Sequence, residues 1–173
     1  RELFSCRDHA DQIGSVEFSP DDSRILTASN ENSVKLWDAR TGRLIRTLGN
    51  YPNSLLAAAW IPKGPRVALV CNETVRIIDS TDGKELLNLK GHVAGVNCVA
   101  ASSDGTRIAS GAYDNVAIIW NAATGERVAT CSGLRHGILS LAFSSDGNRL
   151  VAGTIRGNAK VFDAKSGKEL LDL

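Results

Sequence analysis

A chain of 173 residues that is 43% hydrophobic can build one domain with a substantial core, and it lacks the charge excess of a disordered polypeptide. Its 20 Lys and Arg nearly balance 19 Asp and Glu, a formal net charge of +1 with no long run of one sign, which argues against a general nucleic-acid or membrane-surface binder. No apolar stretch approaches the roughly 18 residues of a membrane span and no signal-peptide pattern opens the chain, so the expectation is an intracellular protein, cytoplasmic or nuclear.

Read from the amino end, Arg1 to Cys6 matches the outer strand of a preceding unit, and a start in mid-repeat in a chain without Met predicts a piece of a longer polypeptide. Four units follow, at 9–48, 51–89, 92–131 and 134–173. Phe18-Ser19-Pro20 opens a series continued by Trp60-Ile61-Pro62, Ala101-Ser102-Ser103 and Phe143-Ser144-Ser145, at steps of 42, 41 and 42 residues. Trp37-Asp38, Ile78-Asp79, Trp120-Asn121 and Phe162-Asp163 follow one another at 41, 42 and 42, and so do the glycines Gly42, Gly83, Gly125 and Gly167. Three markers with one period establish an internal repeat, and a residue missing from the second unit explains its shortened steps.

Within each unit, short runs rich in Val, Ile and Leu alternate with turn clusters, and no stretch has helical periodicity. The third unit predicts strands at Val96 to Ala101, Arg107 to Gly111, Val116 to Trp120 and Arg127 to Cys131, with Asp104-Gly105 and Thr124-Gly125 as turns. Lys168 to Leu173 closes the fourth unit. Four antiparallel strands per unit and no helix predict an all-β propeller of four blades, because each small sheet can bury its faces only against its neighbours. At the wedge angle of a ring of about seven blades, four cover only part of a circle, so further blades of the parent chain or a second copy would complete it.

These motifs resemble the WD-repeat family over essentially the whole chain. The third unit is the fullest match, with Gly91-His92, Ser102-Ser103-Asp104-Gly105, Ile108-Ala109-Ser110-Gly111, Asp114 and Ile119-Trp120-Asn121. The resemblance implies that His92, Ser110, Asp114 and Trp120 form the family's structural tetrad, a hydrogen-bonded chain linking strands of one blade, with Asn121 in place of the usual aspartate. The first unit keeps His9, Thr27 and Trp37 but carries Glu31 for the aspartate. The second has Tyr51 and Ile78, and the fourth Leu134, Ala152, Arg156 and Phe162, so their blades must rest on apolar packing and are the expected places for local opening or for adaptation to a partner.

His92, Ser110 and Asp114 have the residue types of a nucleophilic triad. The structural reading is the stronger, since each group would satisfy another's hydrogen bond and that of the Trp120 indole. No G-x-x-x-x-G-K-[ST] loop, G-x-G-x-x-G turn, H-E-x-x-H helix or C-x-x-C pair occurs, and neither a cofactor nor a metal is expected. Cys6, Cys71, Cys98 and Cys131 read as buried free thiols, and the sequon Asn72-Glu73-Thr74 carries little weight. Family members commonly bind partners through loops around the central channel, where the resemblance brings Tyr113, Arg135, His136 and Arg156 together. Two arginines beside a histidine and a tyrosine suit an acidic or phosphorylated peptide. The reading is therefore a non-catalytic scaffold for other proteins or peptides, with a regulatory or targeting module of a larger enzyme as the alternative.

Overall fold

The computed structural model describes residues 3–51 and 57–173. Sixteen strands in these residues form four separate antiparallel sheets, each in sequential order, with no helix. Blade 1 holds β1 (Ile13–Phe18), β2 (Arg24–Ser29), β3 (Ser33–Asp38) and β4 (Leu44–Asn50). Blade 2 holds β5 (Ala58–Ile61), β6 (Arg66–Cys71), β7 (Thr74–Asp79) and β8 (Glu85–Lys90). In blade 3 the strands are β9 (Val96–Ala101), β10 (Arg107–Ala112), β11 (Ala117–Asn121) and β12 (Arg127–Cys131). Blade 4 has β13 (Ile138–Phe143), β14 (Arg149–Thr154), β15 (Ala159–Asp163) and β16 (Glu169–Asp172). These are propeller blades.

The core lies between the sheets. One apolar cluster joins Leu26, Leu36 and Leu48 of blade 1 to Trp60, Val67 and Leu69 of blade 2. A second joins Ala68, Val70 and Ile77 to Ile108, Ile118 and Trp120, and a third joins Ala109 and Ile119 to Leu150 and Phe162. Alternation decides which neighbour each side chain meets: on β11, Ile118 and Trp120 face blade 2 while Ala117 and Ile119 face blade 4. The first strands converge instead on a shared cavity of about 510 Å³, walled by residues such as Phe18, Ala59, Val99 and Leu141, which marks the channel side of the arc.

In every blade the ladder between the third and fourth strands slips next to the marker residue, between Leu36 and Trp37, Ile77 and Ile78, Ile119 and Trp120, and Val161 and Phe162. The bulge twists the strand locally where it enters the following turn. That turn needs glycine. At Gly83 (φ 80°) and Gly167 (φ 72°) a Cβ would collide with the carbonyl oxygens of Leu48 and Thr130, which belong to the outer strand of the preceding blade.

Gly42 occupies the same place in blade 1, and there the Phe4 side chain covers it while the Cys6 thiol donates weakly to its carbonyl. Leu3 to Cys6 thus lie where a preceding outer strand would lie, yet form no strand among the described residues, since no sheet is there to pair with them. Arg1 and Glu2 of that expected strand lie outside the described residues.

Candidate functional site

Blade 3 draws four polar side chains into one buried line. His92 Nδ1 is 2.8 Å from Asp114 Oδ2, His92 Nε2 is 2.8 Å from Ser110 Oγ, and the Trp120 indole N–H donates to the same Ser110 oxygen at 2.8 Å. A carboxylate only accepts, so His92 donates through Nδ1 and its Nε2 receives the Ser110 hydroxyl proton. This is also the order of groups in a hydrolytic triad. Burial separates the two cases: Ser110 is 0% exposed and its oxygen already takes the indole proton, so no carbonyl carbon can reach it. Asp114 further accepts the Val93 and Val116 backbone N–H groups, tying the entry to β9 to the turn between β10 and β11.

Blade 1 builds the corresponding line with a longer acid. His9 Nδ1 is 2.5 Å from Glu31 Oε1, His9 Nε2 is 2.6 Å from Thr27 Oγ1, and Trp37 donates to Thr27 Oγ1 at 2.8 Å. Glu31 accepts the Ala10 N–H as Asp114 accepts that of Val93, and it also accepts the Ser33 hydroxyl, with Lys35 3.3 Å away. These donors, the Ser33 hydroxyl foremost, hold its carboxyl down at about 2.

Blades 2 and 4 replace the polar line with apolar contacts. Ala152 and Phe162 are fully buried and Leu134 nearly so, whereas Arg156 is exposed in the turn after β14. In blade 2, Tyr51 is buried beneath the Arg76 guanidinium, 5.9 Å above its ring, and Arg76 pairs with Glu85 at 3.0 Å.

Of the four loop residues singled out from sequence, Tyr113 and Arg156 lie beside Gly137, and Arg135 and His136 do not join them. Tyr113, 55% exposed, lays its ring against Gly137, where a Cβ would stand 2.7 Å from it. The Gly137 carbonyl accepts the Ile155 N–H at 3.0 Å, which places the adjacent Arg156 on the same end of the sheet. Arg135 and His136 turn the other way and line a cavity of about 390 Å³ with Asn158, Lys160 and Asp172. Sequence reading missed Lys160, which pairs with Glu169 at 2.8 Å and Asp172 at 3.0 Å. A signal existed: Lys35, Arg76 and Lys160 occupy one position of the repeat, each a cation in register with Ile118.

Among the described residues, no three His, Cys, Asp or Glu cluster as a metal centre would require. Burial pushes the Cys71 thiol up to about 11 and those of Cys98 and Cys131 to about 12, so none is a nucleophile near neutrality. No described helix is long and apolar enough to cross a membrane.

Comparison with known proteins matches residues 1–38, 83–121 and 125–163 to the family described as WD domain, G-beta repeat. The longest unmatched stretch, 39–82, carries β4 to β7, and in it Tyr51 and Ile78 replace tetrad residues. The chain is 28% identical over 138 residues to Cell division cycle 20.1, cofactor of APC complex, of Arabidopsis thaliana, covering 77% of this chain and 29% of that protein. It is 30% identical over 137 residues to nuclear distribution protein PAC1 of Arthroderma benhamiae, covering 72% of this chain and 30% of the relative. Against the DENN domain and WD repeat-containing protein SCD1 of Arabidopsis thaliana the identity is 27% over 124 residues, 71% of this chain and 10% of that protein. The chain thus spans less than a third of the length of each.

Proposed function

The chain belongs to the WD-repeat family, and from that premise we propose that it is a non-catalytic interaction scaffold, a rigid run of blades presenting loops to partner proteins inside the cell, in cytoplasm or nucleus. The observation that carries this reading is the pairing of a buried, self-satisfied polar line with an exposed cationic loop end. The Ser110, His92 and Asp114 groups that could do chemistry are spent on one another, while Tyr113 and Arg156 beside Gly137, and Arg135 and His136 over the neighbouring cavity, remain available at the loop end. Arginine and tyrosine on a rigid support favour an acidic or phosphorylated peptide of a partner protein, since guanidinium groups pair with such anions in two-point contacts. His92, Ser110, Asp114 and Trp120 act as a structural tetrad and His9, Thr27 and Trp37 as a partial one, and 9–48, 51–89, 92–131 and 134–173 are the blade units of a larger propeller to which 1–6 contributes an outer strand.

The much greater length of SCD1 favours a second reading, in which this propeller targets or regulates a larger enzyme whose catalytic domain lies elsewhere in the polypeptide. Both readings place the partner on the loop end. Arg135→Ala with Arg156→Ala in the full-length protein should strip its co-purifying partners at least about tenfold, the scale of a lost charge-assisted contact, with the melting temperature unchanged. An unaltered set of partners would show the patch to be ordinary solvated surface.

A further inference from the structure

The three blade junctions are built alike, except that the first is unfinished at the end of the sheets opposite the loop patch. At the junction of blades 2 and 3, Arg66 Nη1 donates to the Ala122 carbonyl at 2.6 Å, and at that of blades 3 and 4, Arg107 Nη1 reaches the Ala164 carbonyl at 3.4 Å. The residue in register with these arginines in blade 1 is Arg24, and the residue in register with Ala122 and Ala164 in blade 2 is Ser80. The backbone confirms the register: the Ser80 N–H donates to the Pro65 carbonyl as those of Ala39, Ala122 and Ala164 donate to Ser23, Thr106 and Asn148. Arg24, however, makes no side-chain hydrogen bond or ion pair among the described residues. It lines a cavity of about 290 Å³ with Ser80, Trp60, Lys63, Pro65 and Asp21.

Blade 2 departs from the repeat at just those positions. It has Ile61 and Lys63 where the other blades hold a Ser and Asp pair, Ser19 with Asp21, Ser102 with Asp104 and Ser144 with Asp146, hydrogen-bonded at 2.6, 2.6 and 2.5 Å. It has Trp60 where blades 1 and 4 have Phe18 and Phe143, and Ser80 where all three others have alanine. Both substitutions add a polar atom that the fold does not use. Trp60 Nε1 and Ser80 Oγ are buried without a hydrogen-bond partner among the described residues, in side chains of residues 5% and 1% exposed. Orphaned groups of this kind destabilise the fold, because they give up hydrogen bonds to water and regain none.

We propose that the junction of blades 1 and 2 is a binding site for a carboxylate, the Glu or Asp side chain of a partner peptide. The accessible donors of the cavity are those of Arg24 and Lys63, both cationic, and behind them the indole N–H, a donor only, and the Ser80 hydroxyl are buried and unpaired, so the site calls for an acceptor-only anion that the cations meet first and that draws the two buried donors toward it. Charge selects among anions. Arg24 and Lys63 against Asp21 leave one net positive charge, which a monoanion neutralises, whereas a phosphate dianion would place a surplus charge beside Asp21. The Asp21 carboxylate does not compete for the donors, since the Ser19 and Ser23 hydroxyls already hold it. The site stands apart from the loop patch and holds or fails independently of it.

The test follows the indole proton by NMR in the full-length protein labelled with ¹⁵N at its tryptophans. The Trp60 signal is assigned by its loss in Trp60→Phe, a change that installs the residue of two sister blades. The Trp37 and Trp120 indoles, bound to Thr27 and Ser110, serve as fixed references. The capped tripeptide Gly-Glu-Gly should shift the Trp60 signal saturably, and Gly-Gln-Gly should bind at least about tenfold more weakly, as expected for loss of a charged acceptor. Arg24→Gln should weaken Gly-Glu-Gly by a similar factor, Ser80→Ala by less, and Arg149→Gln, the same register in blade 4, by none. Absence of a saturable shift, or equal responses to the Glu and Gln peptides, would overturn the site. Tighter binding of the phosphoserine tripeptide would overturn the carboxylate assignment.

Discussion

Two uses of single polar residues run through the repeat. Ser110 joins His92 to Trp120 at the centre of blade 3, and the indole fills the interface with blade 2. Trp120→Ala removes a large core side chain and leaves Ser110 short of a donor, so thermal or denaturant unfolding of the protein should show a loss of about 3 to 5 kcal/mol. A melting temperature shifted by less than about a degree would contradict it. The second use is turn closure by carboxylates. Asp104 accepts the Ser102 hydroxyl at 2.6 Å and the Thr106 N–H at 3.0 Å, and these bonds, that of Ser102 first, hold its carboxyl at about 2 against an ordinary 3.8. Asp21 and Asp146 are held at about 2 in the same way by Ser19 and Ser144. A folded-state value below the unfolded one contributes stability that is present above 3.8 and lost as pH falls toward 2. Asp104→Asn keeps an acceptor but cannot titrate, so its melting temperature should fall less steeply than that of the natural protein across that window. Parallel slopes would show that the turn carboxylate is not linked to unfolding. Asn121 already makes the corresponding exchange in another turn, where its Oδ1 accepts the Ala123 and Thr124 N–H groups as Asp38 accepts those of Arg40 and Thr41.

Among the elements, flanking outweighs the polar tetrad. Blade 2 has no tetrad, and its sequence predicts a weak place. Yet Val67, Ala68, Leu69, Val70, Ile77 and Ile78 of β6 and β7 are all fully buried, because blades 1 and 3 cover both faces. The residues in one register make the point: Leu26, Ala68 and Ala109 are 1%, 0% and 0% exposed, and Val151 of blade 4 is 37% exposed. Amide exchange of the native protein should therefore be slowest in β6, β7, β10 and β11 and fastest in the exposed strand β16. Exchange from β6 and β7 as fast as from β16 would restore the tetrad as the deciding feature. The strands themselves were legible in sequence because period and turn chemistry are local: the third unit's four predicted strands agree with β9 to β12 within a residue at each end. Relative burial was not legible, since it depends on which neighbour covers a face. Nor was the split of the loop patch, because only the fold reveals that Arg135 and His136 share a cavity with Lys160 while Tyr113 rests on Gly137.

Across the whole molecule, the two ends of the arc differ. At the blade 1 end, Trp37 and Lys35 are 2% and 7% exposed, because His9 and Asp8 of the leading segment pack against them and Phe4 covers Gly42. At the blade 4 end Val151 is uncovered, and Leu170 and Leu171 on β16 are 47% and 52% exposed. Apolar residues alternate onto that side in the same register that buries Ala109 and Ile119 in blade 3, so the face is shaped to receive another blade. Residues 1–173 expressed alone should therefore associate, and light scattering should give a mass above the 18.4 kDa of one chain. A discrete dimer would indicate that two arcs close a ring of eight blades. A broad distribution would indicate that the face is covered by further blades of the parent polypeptide, as the greater length of the relatives suggests. A monodisperse single chain would show that the exposed register is tolerated by itself, and that four blades form a sufficient unit.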